Sequence, residues 1–273
     1  FRQILSDKLG IDFEQVQLQQ GDSDSVIAGT GTFGSRSSGV GGASILLAAD
    51  RVIDKCRKVA AHKLEAAEED IEFDDGGFTV AGTDRTMKLI DAAKAVQNFM
   101  TAPPGMEVGL SEWAAWSPPA PTFPNGCHIC EVEIDQDTGV LDIVRYAAVD
   151  DVGTVINPLL MIGQLHGGIV QGVGQATLEN VVWDRDSGQL VSGSFMDYTM
   201  PRADDLPSFE MEINEVPTPT NPMGVKGAGE AGCVGALPAV MNAIVDALRP
   251  LGITTLDMPA TPERVWRAMQ EMH

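Results

Sequence analysis

Positive charge is scarce in this sequence. Eighteen Lys and Arg stand against 39 Asp and Glu in 273 residues, a formal net charge of −21. Such a surface repels phosphate backbones, which argues against a nucleic-acid binder. Cysteine is scarce too. Cys56, Cys127, Cys130 and Cys233 are too few for a disulfide framework in a chain of this length, so a reducing, cytoplasmic setting is expected. No apolar run is expected to reach the roughly 18 residues of a membrane span, and no basic-then-apolar leader opens the chain. Internal repeats and low-complexity tracts are lacking as well. So is a helix cap at the start: Phe1, Ile4, Leu5 and Leu9 form a helical apolar stripe with nothing in front of it. The chain therefore reads as the later part of something longer.

Apolar residues are plentiful, at 44%, enough for a real core, and 273 residues suffice for one large domain or two ordinary ones. Residues 2–9 read as a helix stopped by Gly10, and residues 16–18 as a short strand. A loop of small and hydroxyl residues, 29–38, leads into a long helix at 42–67 with a 3.6-residue apolar period. Residues 71–73 and 78–80 flank a hairpin turn, and 86–99 read as a helix. An extended Pro-rich loop covers 101–124. Residues 127–134 and 140–149 alternate as a second hairpin, and 181–183 with 189–191 suggest a third. The helix at 159–178 carries Gly163, Gly167, Gly168, Gly172 and Gly174. Each interior glycine costs about 1 kcal/mol relative to alanine, so this helix is expected to press against another backbone or a ligand. Within it, His166 reads as a hydrogen-bonded packing residue. A strand at 208–216 and helices at 235–248 and 262–272 complete an α+β pattern without regular βαβ alternation. Residues 1–125 form a first α+β segment with the hydroxyl-rich loop, and 126–273 a second with the glutamate discussed next.

Two stretches look built for chemistry. In Asn221–Gly235, NPMGVKGAGEAGCVG, Lys226 and Glu230 stand alone among residues with almost no side chain, just before a helix. Helix N-termini offer unpaired N–H groups and favour negative charge. An anionic ligand with a carboxylate beside it is one reading, and a glycine-rich connector with a solvated cap is the other. The loop around Arg36 offers the same choice, an anion site or an N-cap loop with a surface arginine. Cys127-His-Ile-Cys130 has no second pair to complete a zinc site and reads as strand. Gly29-Thr-Gly31-Thr-Phe-Gly34 and Gly227-Ala-Gly229-Glu-Ala-Gly232 both fit G-x-G-x-x-G, yet neither follows the buried strand that a dinucleotide site needs.

Taken in order, the pieces are more specific than any one of them. They are Gly31-Thr-Phe-Gly-Ser-Arg-Ser37, Val149-Asp-Asp-Val-Gly-Thr-Val-Ile-Asn-Pro158, Gly163-Gln-Leu-His-Gly-Gly168 with Gln171-Gly-Val-Gly174, Asp197-Tyr-Thr-Met-Pro201, Gly224-Val-Lys-Gly-Ala-Gly-Glu230 and Pro238-Ala-Val-Met-Asn-Ala-Ile-Val-Asp-Ala247. This series resembles the C-terminal part of the molybdenum-binding large subunit of the xanthine dehydrogenase and aerobic carbon monoxide dehydrogenase family of molybdenum hydroxylases. The resemblance implies molybdopterin, as the cytosine dinucleotide, carrying molybdenum. It implies cofactor contacts at Thr32, Phe33, Gly34, Ser35, Arg36, Ser37, Asp151, Asn157, Gln164, Lys226, Gly227 and Gly229, with no metal ligand from the protein. Glu230 matches the family's active-site glutamate, a general base in a hydroxylation that takes its oxygen from water. Two electrons then leave through iron–sulfur and FAD partner subunits. The N-terminal part of the same subunit is a further implied partner, in an oligomer, and this chain alone is expected to be inactive. The implied substrate is small: an aldehyde, an N-heteroaromatic or similar carbon centre, or carbon monoxide. Phe33 and the Ser-Arg-Ser after it lean toward the carbon monoxide dehydrogenase-like branch. A nucleotide- or NAD-binding module and a non-catalytic remnant of the fold are the competing readings.

Overall fold

Apolar spacing decides what packs in the first half of the chain. In the computed structural model, which describes residues 1–26, 29 and 31–271, the chain divides into two units. The first is Phe1–Pro121 with Pro219–Met223, and the second is Thr122–Thr218 with the chain from Gly224 onward. In the first unit, helix α1 (Arg2–Leu9) stops at Gly10, whose φ of 60° returns its N–H to the Ser6 carbonyl. A Cβ there would lie 2.1 Å from the Gly76 nitrogen, so only glycine lets the chain touch the turn it rests on. That turn joins β1 (Ile71–Asp74) to β2 (Gly77–Val80), antiparallel with Ile71 opposite Val80. Strand β3 (Thr86–Lys88) adds to β2. Helix α2 (Ala43–Lys63) contributes Ile53, Cys56, Val59 and Ala60 to one core with Ile71, Phe78, Val80 and the Leu89, Ala92 and Val96 of α3 (Leu89–Val96).

Three expectations shift here. Residues 16–18 form no strand. Val16 is buried, but it only ends a 3₁₀ turn, Phe13–Gln15, in which the Asp12 carboxylate accepts from the Glu14 N–H at 3.0 Å. Residues 86–88 pair with β2 rather than starting a helix, and α3 ends at Val96. Helix α2 follows a π-helical turn, Ser37–Gly42, and stops at Lys63, before Glu65 takes a φ of 49°.

In the second unit, β4 (Asn125–Ile134) and β5 (Leu141–Asp151) form the expected hairpin, Cys130 opposite Tyr146, with a bulge after Glu131. Strand β6 (Phe209–Ile213) joins β5 in parallel. The suggested hairpin at 181–191 shrinks to one bridge, Trp183 with Leu190; it adds to neither sheet. Ile143, Tyr146 and Ala148 of β5 pack with Ile169, Val173 and Ala176 of α4 (Pro158–Thr177), with α5 (Ala231–Leu248), and with Val265 and Met269 of α6 (Pro262–Gln270). Helix α5 starts at Ala231, four residues before the expected start, because Gly232 already packs against α4. It buries every fourth residue, Gly232, Ala236, Val240, Ile244 and Leu248. Residues Ala231–Leu251 are long and apolar enough by composition to cross a membrane, yet this ridge lies in the unit's core. The expected α+β class holds, with one parallel strand pair.

Helices α4 and α5 meet backbone to backbone. A Cβ on Gly172 would sit 2.7 Å from the Ala236 Cβ, and one on Gly232 would sit 2.5 Å from the Leu165 carbonyl oxygen. Gly172→Ala gains about 1 kcal/mol in helix propensity but overpacks this seam by about 1–3 kcal/mol. A lower urea midpoint at an unchanged slope is expected.

Candidate functional site

The residues singled out in the sequence fall in both units. In the first, the loop ahead of α2 is tied across its ends: the Thr32 and Ser37 hydroxyls lie 2.7 Å apart. The Arg36 guanidinium stacks 3.7 Å from the centre of the Phe33 ring, and Phe33 remains 59% exposed. Gly34 and Ser35 take φ values of 58° and 50°, and Arg36 follows in right-handed backbone. Left-handed then right-handed residues turn successive N–H groups into a concavity that suits an anion. Added Cβ atoms at Gly31 and Gly34 would meet nothing within 4 Å. These glycines serve the loop's conformation and leave open space beside it. Thr30, within the first G-x-G-x-x-G match, lies outside the described residues.

In the second unit the structure brings Asp151 and Lys226 together. They form a buried ion pair, with side chains 8% and 12% exposed. The other Asp151 oxygen accepts from the Gly153 N–H at 2.9 Å and the Val216 N–H at 3.2 Å, and Asn125 adds a bond at 3.3 Å. Lys226 also donates its backbone N–H to the Val152 carbonyl. The group that Lys226 points at is therefore a carboxylate of its own chain. Asn157 caps α4, its side-chain oxygen accepting from the Leu160 N–H at 3.1 Å. About two turns on, Gln164 is exposed between Gly163 and Gly167 on the same helix. Gly168 and Gly172 are explained by contact with α5, but Gly163 and Gly167 are not: a Cβ on either meets nothing within 4 Å. Glu230 is the N-cap residue of α5, exposed, and does not cap the helix with its own side chain. Gly227 is half-buried and Gly229 exposed. No strand precedes Gly227; Val225 makes a single bridge to Gly153. Gly232 lies inside α5, so the geometry of a dinucleotide fold is missing here.

Sequence reasoning missed two polar networks. The Tyr198 hydroxyl donates to Glu179, and both Glu179 and Glu230 lie near enough to Cys233 to add to the effect of burial in raising its thiol pKa. His128 sits between the Tyr146 hydroxyl, 2.7 Å from Nδ1, and the Asp150 carboxylate, 3.2 Å from Nε2. Strand parity is the signal that could have found it: His128 falls in phase with the inward residues Cys130, Val132 and Ile134. His166 packs edge-on against Phe209, ring centres 5.3 Å apart. Cys127 is exposed, and burial pushes the half-buried Cys130 thiol up to about 11. Among the described residues no group of three His, Cys, Asp or Glu could hold a metal.

Hydroxyls and a stacked arginine in the first unit, and an exposed glutamine and glutamate beside glycines in the second, are groups of the class that meets a polar cofactor. Residues 1–207 match the molybdopterin cofactor-binding domain, and the chain belongs to that family. It is 40% identical over 271 residues to the carbon monoxide dehydrogenase large chain of Hydrogenophaga pseudoflava, across 99% of this chain and 34% of that one. It is 40% identical over 268 residues to the nicotine 6-hydroxylase large subunit of Paenarthrobacter nicotinovorans, across 97% of this chain and 33% of that subunit. A solved structure, reconstituted CO dehydrogenase from Oligotropha carboxidovorans, superposes with a TM-score of 0.92 at 35% identity, over 99% of this chain and 34% of that one. The chain thus spans about a third of the length of the curated relatives it matches.

Burial pushes the Asp151 carboxyl up, but the bonds from Lys226, Gly153 and Val216 outweigh it and hold the carboxyl below its ordinary value. A carboxyl lowered by folding stabilises above its unfolded pKa, and that contribution is lost as pH falls through the folded value. The second unit should therefore weaken as pH drops below about 4. Asp151→Asn should remove this acid-sensitive part. It should also cost about 3 kcal/mol at neutral pH, because Lys226 stays buried without a counter-charge. Urea unfolding from pH 7 to pH 3 measures both.

Proposed function

We propose that the chain is the C-terminal part of the large subunit of a molybdenum hydroxylase, with Glu230 as its general base. The observation that carries this reading is the setting of Glu230. From Gly227 to Gly232 no other side chain is larger than alanine, and Lys226, four residues before Glu230, is paired with Asp151. A carboxylate flanked only by glycine and alanine can approach a bulky bound group without crowding.

Taken unit by unit, the residues suit separate parts of a long phosphate-bearing cofactor, which we take to be molybdopterin cytosine dinucleotide. Thr32 to Ser37 would hold an anionic part with hydroxyls, backbone N–H groups and Arg36. Gln164 would hydrogen-bond on the bare face of α4, and Gly227 and Gly229 would let backbone approach the ligand. Asp151, Asn157 and Lys226 act on the same cofactor through the loops and helix end they fix. When bound, the molybdenum group supplies the two-electron acceptor of the reaction. Glu230 takes the proton of the water whose oxygen enters the product, and a carboxylate one bond from that water suffices for the transfer.

The substrate class is a small molecule with an electron-poor carbon, an aldehyde or N-heteroaromatic, or carbon monoxide. The nicotine and carbon monoxide enzymes among the relatives support it. Partners are the remaining part of the subunit and separate iron–sulfur and FAD subunits. Glu230→Gln in the full enzyme should lower dye-linked turnover of carbon monoxide, nicotine or benzaldehyde by about 10²–10⁴-fold. Molybdenum content by elemental analysis should stay near that of the unmodified protein. Retained turnover, or lost molybdenum, would count against the assigned role.

A further inference from the structure

The imidazole of His128 is a buried, hydrogen-bonded side chain beneath α5 with no part in the proposed chemistry. It is 4% exposed. The Asp150 carboxylate can only accept, so Nε2 carries a hydrogen toward it, at 3.2 Å to both oxygens. The Tyr146 hydroxyl lies 2.7 Å from Nδ1, and Tyr146 is itself braced edge-on by Phe209, centres 5.4 Å apart. The ring has no freedom to turn.

Helix α5 lies directly on that ring. A Cβ built on Gly235 would stand 2.6 Å from Cε1, 2.6 Å from Nδ1 and 2.7 Å from Nε2. Near-equal distances to three ring atoms mean that the helix backbone meets the flat face of the imidazole. Gly235 comes five residues after Glu230, about one and a half turns into the helix that Glu230 opens. An interior glycine costs about 1 kcal/mol of helix propensity, and here the ring leaves room for nothing larger. On the other side of Glu230, four residues before it, Lys226 is fixed to Asp151. Asp150 and Asp151 are neighbours on β5. The segment bearing Glu230 is thus anchored on both sides to the end of one strand.

We propose that His128, locked by Asp150 and Tyr146, is a positioning residue that sets the height and angle of the first turns of α5 and so the place of Glu230. The proposal rests on the role given to Glu230 above. A misplacement of about 1 Å is enough to lower a rate by as much as about a hundredfold.

The test uses the full-length protein purified with its partner subunits. Gly235→Ala pushes the helix off the ring, Tyr146→Phe frees one side of the ring, and Ile244→Val weakens the same core away from the site. For Gly235→Ala we expect kcat, with carbon monoxide or nicotine, to fall about tenfold or more. KM should change less than about twofold and molybdenum content should not change. Tyr146→Phe should act in the same direction, more weakly. Ile244→Val should lower Tm with kcat unchanged. Hydrogen exchange of the amides at residues 231–235 should quicken in Gly235→Ala and Tyr146→Phe only. The proposal is overturned if Gly235→Ala keeps full kcat, or if its loss merely follows Tm as a core variant would. Should the unmodified protein lack molybdenum or turnover, the functional reading fails instead; exchange at 231–235 then decides the positioning alone, faster exchange supporting it and unchanged exchange refuting it.

Discussion

Two neighbouring carboxylates at the end of β5 hold what the second unit exists to present. The segment from Gly224 to Gly235 carries few large side chains, so much of its placement comes from the groups around it. Asp151 does this from one side by taking the Lys226 ammonium and the Gly153 and Val216 N–H groups. Asp150 does it from the other through His128, on whose ring the α5 backbone rests at Gly235. Successive strand residues point to opposite faces, so one dipeptide reaches both sides of the same segment. A buried pair of charges adds little net stability when complete. Its value here is geometric.

The glycines sort into two kinds once the space beside each is known. Gly168, Gly172, Gly232 and Gly235 have backbone or ring atoms where a Cβ would stand, and explain close packing within the unit. Gly31, Gly34, Gly163 and Gly167 have open space. The second kind supports the cofactor reading, because a helix does not carry interior glycine on an exposed face without a reason outside its own packing.

Much of this was legible in the sequence, and the limits have physical causes. The β4–β5 hairpin and helix α4 were readable because alternation and period are local. The strand expected at 16–18 failed because a strand needs a partner, and three apolar residues cannot say whether one exists. The start of α5 was misjudged by four residues because glycine lowers local helix propensity, while the contact that overrides it, Gly232 on the backbone of α4, joins residues far apart in the chain. The same holds for Lys226, whose counter-ion lies 75 positions away. His128 was within reach of sequence reasoning. Its parity on β4 marks it as inward, and an inward histidine needs partners, but those partners, Tyr146 and Asp150, lie on another strand. The family likeness came from the order of several short motifs, each too weak alone.

The buried ridge of α5 grows along the helix: nothing at Gly232, a methyl at Ala236, then the branched chains of Val240, Ile244 and Leu248. That gradation makes a wedge. At its thin end the main chains of α5 and α4 are in van der Waals touch, so there is no side-chain layer to yield. At its thick end, hydrocarbon fills the gap and can rearrange. Glu230 opens the helix at the thin end, where the seam admits no added atom, so changes of side-chain size can be absorbed only toward Leu248.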